Sequence, residues 1–472
     1  MLIFGVSAIC TMPTIVIGAL YKTNNTEIVL SEQEASWFGS IVYIVQPLGS
    51  VTSGFIQDTF GRRRCMMGVT VPQFIGWIIL YFSGSVGHLY TAAVIMGLSI
   101  GFMEAPAMSY LGEVTEPRYR GTLSTFSEVF LLLGILFEFF VGAVLYWRYA
   151  CAVSILIPVA VFIAVYLIPE SPTWLIVKGR ITEAHDSLRW LRGWVTHEEV
   201  QDEFNTLMET IKMSPLSKLT RYLLCPVRSD SHKIYHFFSG PIRKPKRRKG
   251  LAKLVLLKEA RIYRPMLLVA IFFFVGHCTS LLGLRPFLVK IFGDLNLPID
   301  PYWALVLSGS VQAAGSIVGA ATIHSVGKRK LAFYNLVGSF ICCFLLGAYI
   351  LSGADAPWAP LTLFCILFFC TGCGVMPLPW VLICEIFPLD GRGIAAGLTA
   401  ASSYIFSFLI TKTFIDLVSV LELSGVVILY GAIGVAGFVF LYFRLPETEG
   451  KTLAEIELFF NKDKRPRPQF QV

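Results

Sequence analysis

The sequence predicts an all-α membrane protein that crosses the bilayer many times. Only 15% of the 472 residues are charged and the mean hydropathy is +0.66, whereas soluble globular proteins carry about 25% charged residues. The chain also contains twelve apolar runs, each near the roughly 20 residues that a helix needs to cross a bilayer core. A third observation is that motifs of the N-terminal half recur in the C-terminal half. The runs lack the period-two alternation of β-barrel strands, so helices are predicted.

The twelve runs are numbered here as spans 1 to 12 in chain order. Span 1 has no basic residue before it and no small-residue cleavage site after it, so we expect a span and not a signal peptide. The chain begins inside this span, which leaves open a shortened form of a longer protein. The spans cover residues 2–20, 36–56, 66–84, 90–111, 123–146, 150–168, 264–284, 303–323, 331–351, 357–384, 394–419 and 425–443.

A long hydrophilic stretch separates spans 6 and 7. We therefore predict an N-terminal six-helix bundle (1–168), a cytoplasmic central loop (169–262), a C-terminal six-helix bundle (263–445) and a cytoplasmic tail (446–472). Within the loop, helical spacing predicts an amphipathic helix that carries Ala184, Leu188, Leu191 and Trp194. Residues 213–250 are rich in serine, proline and basic residues, which indicates a flexible basic insert.

The positive charge lies in alternate loops. Basic residues follow spans 2, 4, 6, 8 and 12, including Arg62–Arg64 and Lys328–Lys330, and the other loops are acidic or sparsely charged. The positive-inside rule then places both termini in the cytoplasm. The net charge of +8 is attributed to topology and to contact with anionic lipid of the inner leaflet, and no nucleic-acid motif is present. A sequon at Asn24 falls outside, where glycosylation is expected in a plasma-membrane glycoprotein.

The sequence contains no pattern typical of an enzyme or a metal site. The eleven cysteines lie almost entirely within apolar runs, where cysteine packs as a small hydrophobe. No metal-binding spacing, nucleophile–base pair or nucleotide-binding loop is found. We therefore expect no metal, no cofactor and no catalytic activity.

Three motif pairs occur in the same order in both halves. "DTFGRRR" (58–64) after span 2 matches "HSVGKRK" (324–330) after span 8. After spans 4 and 10, Glu113 precedes Arg120 by the same seven positions that separate Glu385 from Arg392. "PESPTW" after span 6 matches "PETEGKT" after span 12. A duplicated six-span unit is the architecture of secondary transporters.

The repeated charges predict an inner-gate network at the cytoplasmic ends of the spans. Guanidinium groups can fork onto carboxylates of neighbouring spans, and a glycine permits the tight turn between two spans. Plain topology signalling is the alternative, but it does not require glycine and glutamate at matched positions. The predicted network comprises Asp58, Gly61, Arg62, Arg63, Glu113, Arg120, Glu170, Glu385, Arg392 and Glu447.

These motifs resemble those of the sugar porters of the major facilitator superfamily. The marks are "GRRR", "PESPTWL", "EIFPLDGRG" and "PETEGKTLAEIE", which run from span 2 to the tail. Narrower features, including "EASWFGSI" and "LRPFLVKIF", are similar to the insect facilitated trehalose transporters. The resemblance implies a 6+6 helix fold and alternating access around one sugar site at the membrane midplane. A monomer is sufficient for such transport, and the oligomeric state is left open.

The resemblance also implies the positions of the sugar site. Trp380 matches the family's span-10 tryptophan, and Pro377 and Pro379 interrupt that helix. The chain departs from the family at several positions, such as His277, Leu282 and Phe139, where the family has amides. The substrate-binding residues implied are His277, Thr279, Ser280, Gln312, Trp380, Ser403 and Ser407.

Four ionisable residues inside apolar runs are candidates for energy coupling or for structural hydrogen bonds: Glu104, Glu128, Glu138 and Arg285. Proton-coupled sugar porters carry an acid in span 1, and residues 2–20 contain none. The resemblance therefore favours facilitated diffusion of trehalose or a hexose. A non-transporting sugar sensor and a proton-coupled transporter of a sugar or another small organic solute are the alternatives.

Overall fold

The computed structural model is almost entirely helical over the part of the chain that it describes. The described residues are 1–22, 28–115, 120–213, 259–354, 356–387, 392–451 and 453–460. Within these ranges, only the backbone is described for residues 55, 120–125, 210–213, 384, 392–394 and 453–454. The predicted basic insert and the sequon at Asn24 lie outside these residues.

The described residues of the N-terminal half and of the loop that follows contain ten helices. Two short helices, α6 and α7, share span 6. The helices are α1 (Leu2–Leu20), α2 (Glu32–Phe60), α3 (Arg62–Tyr81), α4 (Val86–Val114), α5 (Arg120–Val144), α6 (Trp147–Ser154), α7 (Leu156–Leu167), α8 (Pro172–Val177), α9 (Ile181–Leu191) and α10 (Gln201–Met213).

In the part of the C-terminal half that the structure describes, there are eight α-helices, one 3₁₀ helix (Leu282–Phe287) and one π-helical turn (Thr371–Val375). The α-helices are α11 (Ala260–Thr279), α12 (Leu288–Asp294), α13 (Pro301–Val326), α14 (Lys328–Ser352), α15 (Trp358–Cys370), α16 (Pro377–Ile386), α17 (Arg392–Arg444) and α18 (Leu453–Phe460).

Local sequence explains where several helices begin. The Ser31 hydroxyl accepts a hydrogen bond from the Glu34 amide, and the Glu34 carboxylate accepts one from the Ser31 amide at 2.9 Å, which is a capping box. Asp300 caps α13 by accepting from the Tyr302 amide at 2.9 Å, and Pro301 occupies the first turn, where its missing N–H costs nothing.

Besides span 6, the predicted spans 7 and 10 are interrupted. Span 7 is not one helix, because α11 ends at Thr279, Leu281 has φ +52°, and the chain continues as the 3₁₀ helix. Span 10 passes through the π-helical turn before Pro377, and proline cannot donate to the preceding turn. Spans 11 and 12 follow one another in α17, with a break at Glu422, where φ is +58°.

Ten helical segments of the described residues are long and apolar enough to cross a membrane. Three of them contain more than one helix, and the segment 395–444 includes the break at Glu422. Helix α3 is 20 residues long but starts with three arginines. The chain is therefore a multi-pass membrane protein, and the number of twelve spans stays a prediction.

The helices α8 to α10 form a separate small apolar cluster. Ala184 and Leu188 of α9 are buried against Trp174 and Phe204, as their helical spacing predicts. The predicted amphipathic helix extends too far, because α9 ends at Leu191. Trp194 lies beyond it with φ +63° and is 72% exposed. Gly193, at φ +88°, turns the chain before it.

Each half packs mainly on itself. Helix α4 packs against α2 and α3, and α1 against α5. In the C-terminal half, α17 packs against α11 and α14, and α13 against α15. The halves meet where α2 contacts α17, α5 contacts α13, and α1 contacts the 3₁₀ helix and α12. One apolar core includes residues of both halves.

The two ends of this bundle differ. The end that carries Arg62–Arg64 and Lys328–Lys330 is called the basic end, and the opposite end is called the closed end because the halves touch there. At the closed end, the Ser36 hydroxyl donates to the Lys412 carbonyl at 2.8 Å. Phe140 of α5 lies edge-on to Trp303 of α13, with ring centroids 6.2 Å apart. The described ion pairs of Arg62 and Lys328 at the basic end each stay within one half.

Candidate functional site

A polar cluster lies where α11 packs against α17. The His277 Nε2 atom is 2.9 Å from the Ser403 hydroxyl and 3.3 Å from the Ser407 hydroxyl. Ser403 and Ser407 are one helical turn apart, and the Ser407 hydroxyl donates to the Ser403 carbonyl at 3.0 Å. The Nδ1 atom of His277 is buried without a hydrogen-bond partner among the described residues. This imidazole therefore keeps one hydrogen-bonding position for a further group.

Aromatic rings continue from this polar cluster. The Phe273 ring stacks near His277 at 5.9 Å and meets the Trp380 ring edge-on at 4.9 Å. The Trp380 ring is also 6.1 Å from the Tyr404 ring. The π-helical turn and Pro377 place Trp380 on the first turn of α16. Trp380 is partly buried, so the aromatic group borders the polar cluster and retains accessible surface.

One hydrogen bond joins this cluster to the N-terminal half. The Tyr404 hydroxyl donates to the Glu104 carboxylate at 2.8 Å. Glu104 lies on α4 and Tyr404 on α17, one residue after Ser403. The cluster of Phe273, His277, Trp380, Ser403, Tyr404 and Ser407 is called the central cluster below.

The other predicted substrate-binding residues lie elsewhere or face their own helix. The Thr279 hydroxyl donates to the Val275 carbonyl at 2.9 Å, and the Ser280 hydroxyl donates to the His277 carbonyl at 3.2 Å. Both side chains are fully buried, so they stabilise the end of α11. Gln312 lines a separate cavity together with Arg285.

Phe273 and Tyr404 were not among the predicted residues. Phe273 lies four residues before His277 and Tyr404 follows Ser403, so helical periodicity around the predicted positions is the signal for both.

The buried carboxylates have different surroundings. Glu138 is 1% exposed and accepts a hydrogen bond from the Ser154 hydroxyl at 2.9 Å, which is a structural contact between α5 and α6. Glu128 has no hydrogen bond to another described residue. Glu128 and Glu138 both lie on α5, whereas Glu104 lies on α4. Of these three predicted carboxylates, Glu104 is the one that contacts the central cluster.

At the basic end of the N-terminal half, Arg62 pairs with Glu113. The Arg62 Nη2 and Nε atoms are 2.9 and 3.2 Å from Glu113 Oε1, and Arg62 Nη1 is 3.5 Å from Asp58. Glu113 also accepts a hydrogen bond from the Ser171 hydroxyl. This contact ties the start of α3 to the end of α4 and to the start of α8.

Glu170 has a different role from the predicted pairing with a guanidinium. Its Oε1 atom accepts the backbone N–H groups of Arg62 and Arg63 at 2.9 and 3.0 Å. These N–H groups begin α3 and have no partner within the helix, and a carboxylate at a helix N-terminus also favours the helix dipole. The Arg63 guanidinium instead donates to the carbonyls of Val165 and Tyr166.

The C-terminal half repeats this arrangement. Glu447 accepts the backbone N–H groups of Lys328 and Arg329 at 3.1 Å each. The Lys328 ammonium is 2.8 Å from the Glu385 carboxylate, and the Arg329 guanidinium donates to the Tyr442 carbonyl. Lys328 thus occupies the place of Arg62. The match of "GKRK" to "GRRR" is the signal that identifies Lys328, which the predicted network omitted.

Gly61 and Gly327 make these contacts possible. Their φ values are +98° and +88°, in the region that only glycine adopts readily. A Cβ atom at Gly61 would lie 2.9 Å from the Glu170 carboxyl carbon, and one at Gly327 would lie 2.8 Å from Glu447 Oε2. Each glycine therefore admits the carboxylate that caps the next helix. The side chains of Arg120 and Arg392, also in the predicted network, lie outside the described residues.

Glu449 adds a carboxylate at the basic end. It contacts the Lys328 ammonium and the His324 ring, each at 2.8 Å. Burial alone would raise the pKa of Glu449, but the hydrogen bonds from Lys328 and His324 outweigh burial and lower its pKa. Glu449 is therefore held in its charged form.

The chain matches one family model along almost its whole length. The model describes the "Sugar (and other) transporter" family and matches residues 3–460. Among curated proteins, the facilitated trehalose transporter Tret1 of Polypedilum vanderplanki is 27% identical, over 97% of this chain and 85% of its own length. The Tret1 proteins of Drosophila mojavensis and Drosophila virilis are 27% and 28% identical over 97% of this chain. The chain spans about half the length of these two relatives.

Solved structures share the fold. The inward-open conformation of the xylose transporter XylE from E. coli superposes with a TM-score of 0.72 at 17% identity and covers 97% of both chains. The proton:xylose symporter XylE bound to 6-bromo-6-deoxy-D-glucose gives a TM-score of 0.68 at 19% identity, again over 97% of both chains. The fold is thus that of the major facilitator superfamily, and the relatives are transporters, not enzymes. The chain belongs to the sugar (and other) transporter family.

Proposed function

We propose that this chain carries trehalose or a hexose across the plasma membrane by facilitated diffusion. The central cluster is the observation that carries the proposal. A sugar has hydroxyl edges and an apolar C–H face, and buried hydroxyls require hydrogen-bond partners. His277, Ser403 and Ser407 supply such partners, and the Trp380 ring suits the C–H face. The names of the Tret1 relatives support the substrate class.

Alternating access follows from the difference between the two ends. The halves touch at the closed end, whereas the described ion pairs at the basic end lie within one half. By the positive-inside rule, the basic end and both termini face the cytoplasm. Entry from the other side then requires separation of the contacts around Ser36 and Lys412 and of the Glu104–Tyr404 hydrogen bond.

The absence of an acid from α1 supports facilitated diffusion. Proton coupling is the second candidate, because a buried carboxylate, Glu104, bonds across the halves next to the central cluster. Protonation of Glu104 would turn this acceptor into a group that can also donate, and its link to the other half would then depend on the proton concentration.

Uptake of labelled trehalose and glucose separates these functions. The chain is expressed in cells that lack endogenous sugar carriers, and surface expression is measured in parallel. Saturable uptake that a proton ionophore leaves unchanged supports facilitated diffusion. Uptake that the ionophore abolishes, and that Glu104→Gln makes insensitive to the ionophore, supports proton coupling. No uptake of either sugar despite surface expression contradicts sugar transport, and a sugar-dependent cell signal in that case indicates a sensor.

A further inference from the structure

Arg285 is a partly buried cation that has no matching anion among the described residues. It lies in the 3₁₀ helix between α11 and α12, next to the contact between the halves. Its Nε and Nη2 atoms are buried and have no hydrogen-bond partner among the described residues. No carboxylate among the described residues forms an ion pair with Arg285. A guanidinium stays protonated in proteins, and a buried charge left unpaired is strongly unfavourable.

The cavity beside Arg285 is lined by groups that can donate hydrogen bonds. It has a volume of about 10 Å³, which is the room of one water-sized sphere. Ser308 and Gln312 of α13 line it, and the Ser308 hydroxyl is also buried without a described partner. The guanidinium, the hydroxyl and the amide N–H₂ are all donors, and no lining residue is acidic.

The surroundings strengthen the attraction of this cavity for negative charge. Phe139 of α5 and Phe368 of α15 form part of its apolar wall, and a low local dielectric increases electrostatic interactions. Phe368 offers the guanidinium only a distant ring face, at 5.9 Å, near the limit for a cation–π contact. The neighbouring Cys10 and Tyr43 carry neutral side chains. Glu104, the carboxylate at the central cluster, is bonded to Tyr404.

We propose that Arg285, Ser308 and Gln312 bind a small monovalent inorganic anion of the size of chloride. The cavity is too small for a sugar acid or a phosphate ester. Arg285, Ser308 and Gln312 belong to the C-terminal half, and Phe139, which closes the cavity, belongs to the N-terminal half. A bound anion therefore stabilises the arrangement in which the halves touch at the closed end.

Radiolabelled chloride is the probe, with the purified full chain in detergent. Equilibrium dialysis is carried out at constant ionic strength with gluconate as the replacement anion. We expect saturable binding of about one chloride per chain, together with a melting temperature about 2–4 °C higher in chloride than in gluconate. This measurement does not depend on transport, so its outcome is separate from that of the uptake experiment. No saturable binding, or nonspecific binding only, overturns the proposal.

Three variants locate the site. Arg285→Gln is expected to weaken chloride binding by about tenfold or more and Ser308→Ala by about threefold. Arg444→Gln removes an arginine at an exposed position and is expected to leave binding unchanged. Unchanged binding in Arg285→Gln contradicts the proposal. If Arg285→Gln does not fold, Ser308→Ala decides: weaker binding supports the site, and unchanged binding overturns it.

Discussion

At the scale of single residues, Trp380 is the side chain whose position and chemistry best suit contact with a sugar. Its ring contacts Phe273 and Tyr404 and keeps accessible surface. Trp380→Ala removes the face expected to cover the sugar, so uptake should show an apparent KM at least about tenfold higher, or no saturable uptake. Trp380→Phe keeps an aromatic face and is expected to retain part of the activity. An unchanged KM and rate in Trp380→Ala would argue against this site.

Gly61 is needed for both its backbone conformation and its lack of a side chain. Gly61→Ala introduces strain at φ +98° and a Cβ close to the Glu170 carboxyl group. We expect a loss of stability of about 1–3 kcal/mol, measured as a lower melting temperature of the purified protein. Gly68→Ala in α3 is the matched control, because its Cβ meets no atom within 4 Å. Equal melting temperatures for the two variants would contradict this account.

At the scale of helices, the two copies of the motif cap two helix N-termini with carboxylates. Glu170 caps α3 and Glu447 caps α14, and each carboxylate comes from a segment that follows the sixth span of its half. The ion pair Arg62–Glu113 links the start of α3 to the end of α4. The ion pair Lys328–Glu385 links the start of α14 to the end of α16 in the same way. Equivalent contacts thus stabilise the basic end of both halves.

Glu449 gives this set of contacts a dependence on pH. Its pKa is lowered in the folded protein from an ordinary value of 4.5. A group of this kind contributes stability above its unfolded pKa, and the contribution is lost as the pH falls through the folded pKa. We expect the melting temperature of the wild type to fall more steeply than that of Glu449→Gln between about pH 5 and about pH 3. Glu198→Gln, at an exposed position, should follow the wild type, and parallel curves for all three proteins would contradict the prediction.

At the scale of the whole molecule, the proposed alternating access requires the two halves to separate at the closed end. The Ser36 hydroxyl and the Lys412 carbonyl are 2.8 Å apart there, and Lys412 also donates to Gln33 at 3.1 Å. The contacts join α2 to α17, so a covalent link at this point would hold the halves together.

A disulfide between Ser36→Cys and Lys412→Cys is expected to abolish sugar uptake under oxidising conditions. Addition of a reductant should restore uptake, because only the separation of the halves is blocked. Proteolytic cleavage in the central loop shows the link, since the halves then stay joined on a gel until reduction. The single-cysteine variants control for effects of each substitution. Full uptake by a fully cross-linked protein would contradict alternating access at this end.

The sequence alone determined the class of the protein and the duplicated plan. Apolar runs and charge placement are local properties, so they can be read without knowledge of packing. The matched positions of Gly61 and Gly327, and of Glu113 and Glu385, predicted equivalent contacts because a duplicated fold repeats its geometry. The resemblance to a known family also predicted His277, Ser403 and Ser407, whose side chains lie together in the structure.

Only the tertiary structure decided which partner each polar group takes. Glu170 binds backbone N–H groups and not a guanidinium, because the turn at Gly61 presents the start of α3 to it. Thr279 and Ser280 bond within α11, and Tyr404 reaches Glu104 on a helix 300 positions away in the chain. Arg285, Ser308 and Gln312 meet at one cavity for the same reason. Helix rotation and the contact between halves set these distances, and no local pattern encodes them.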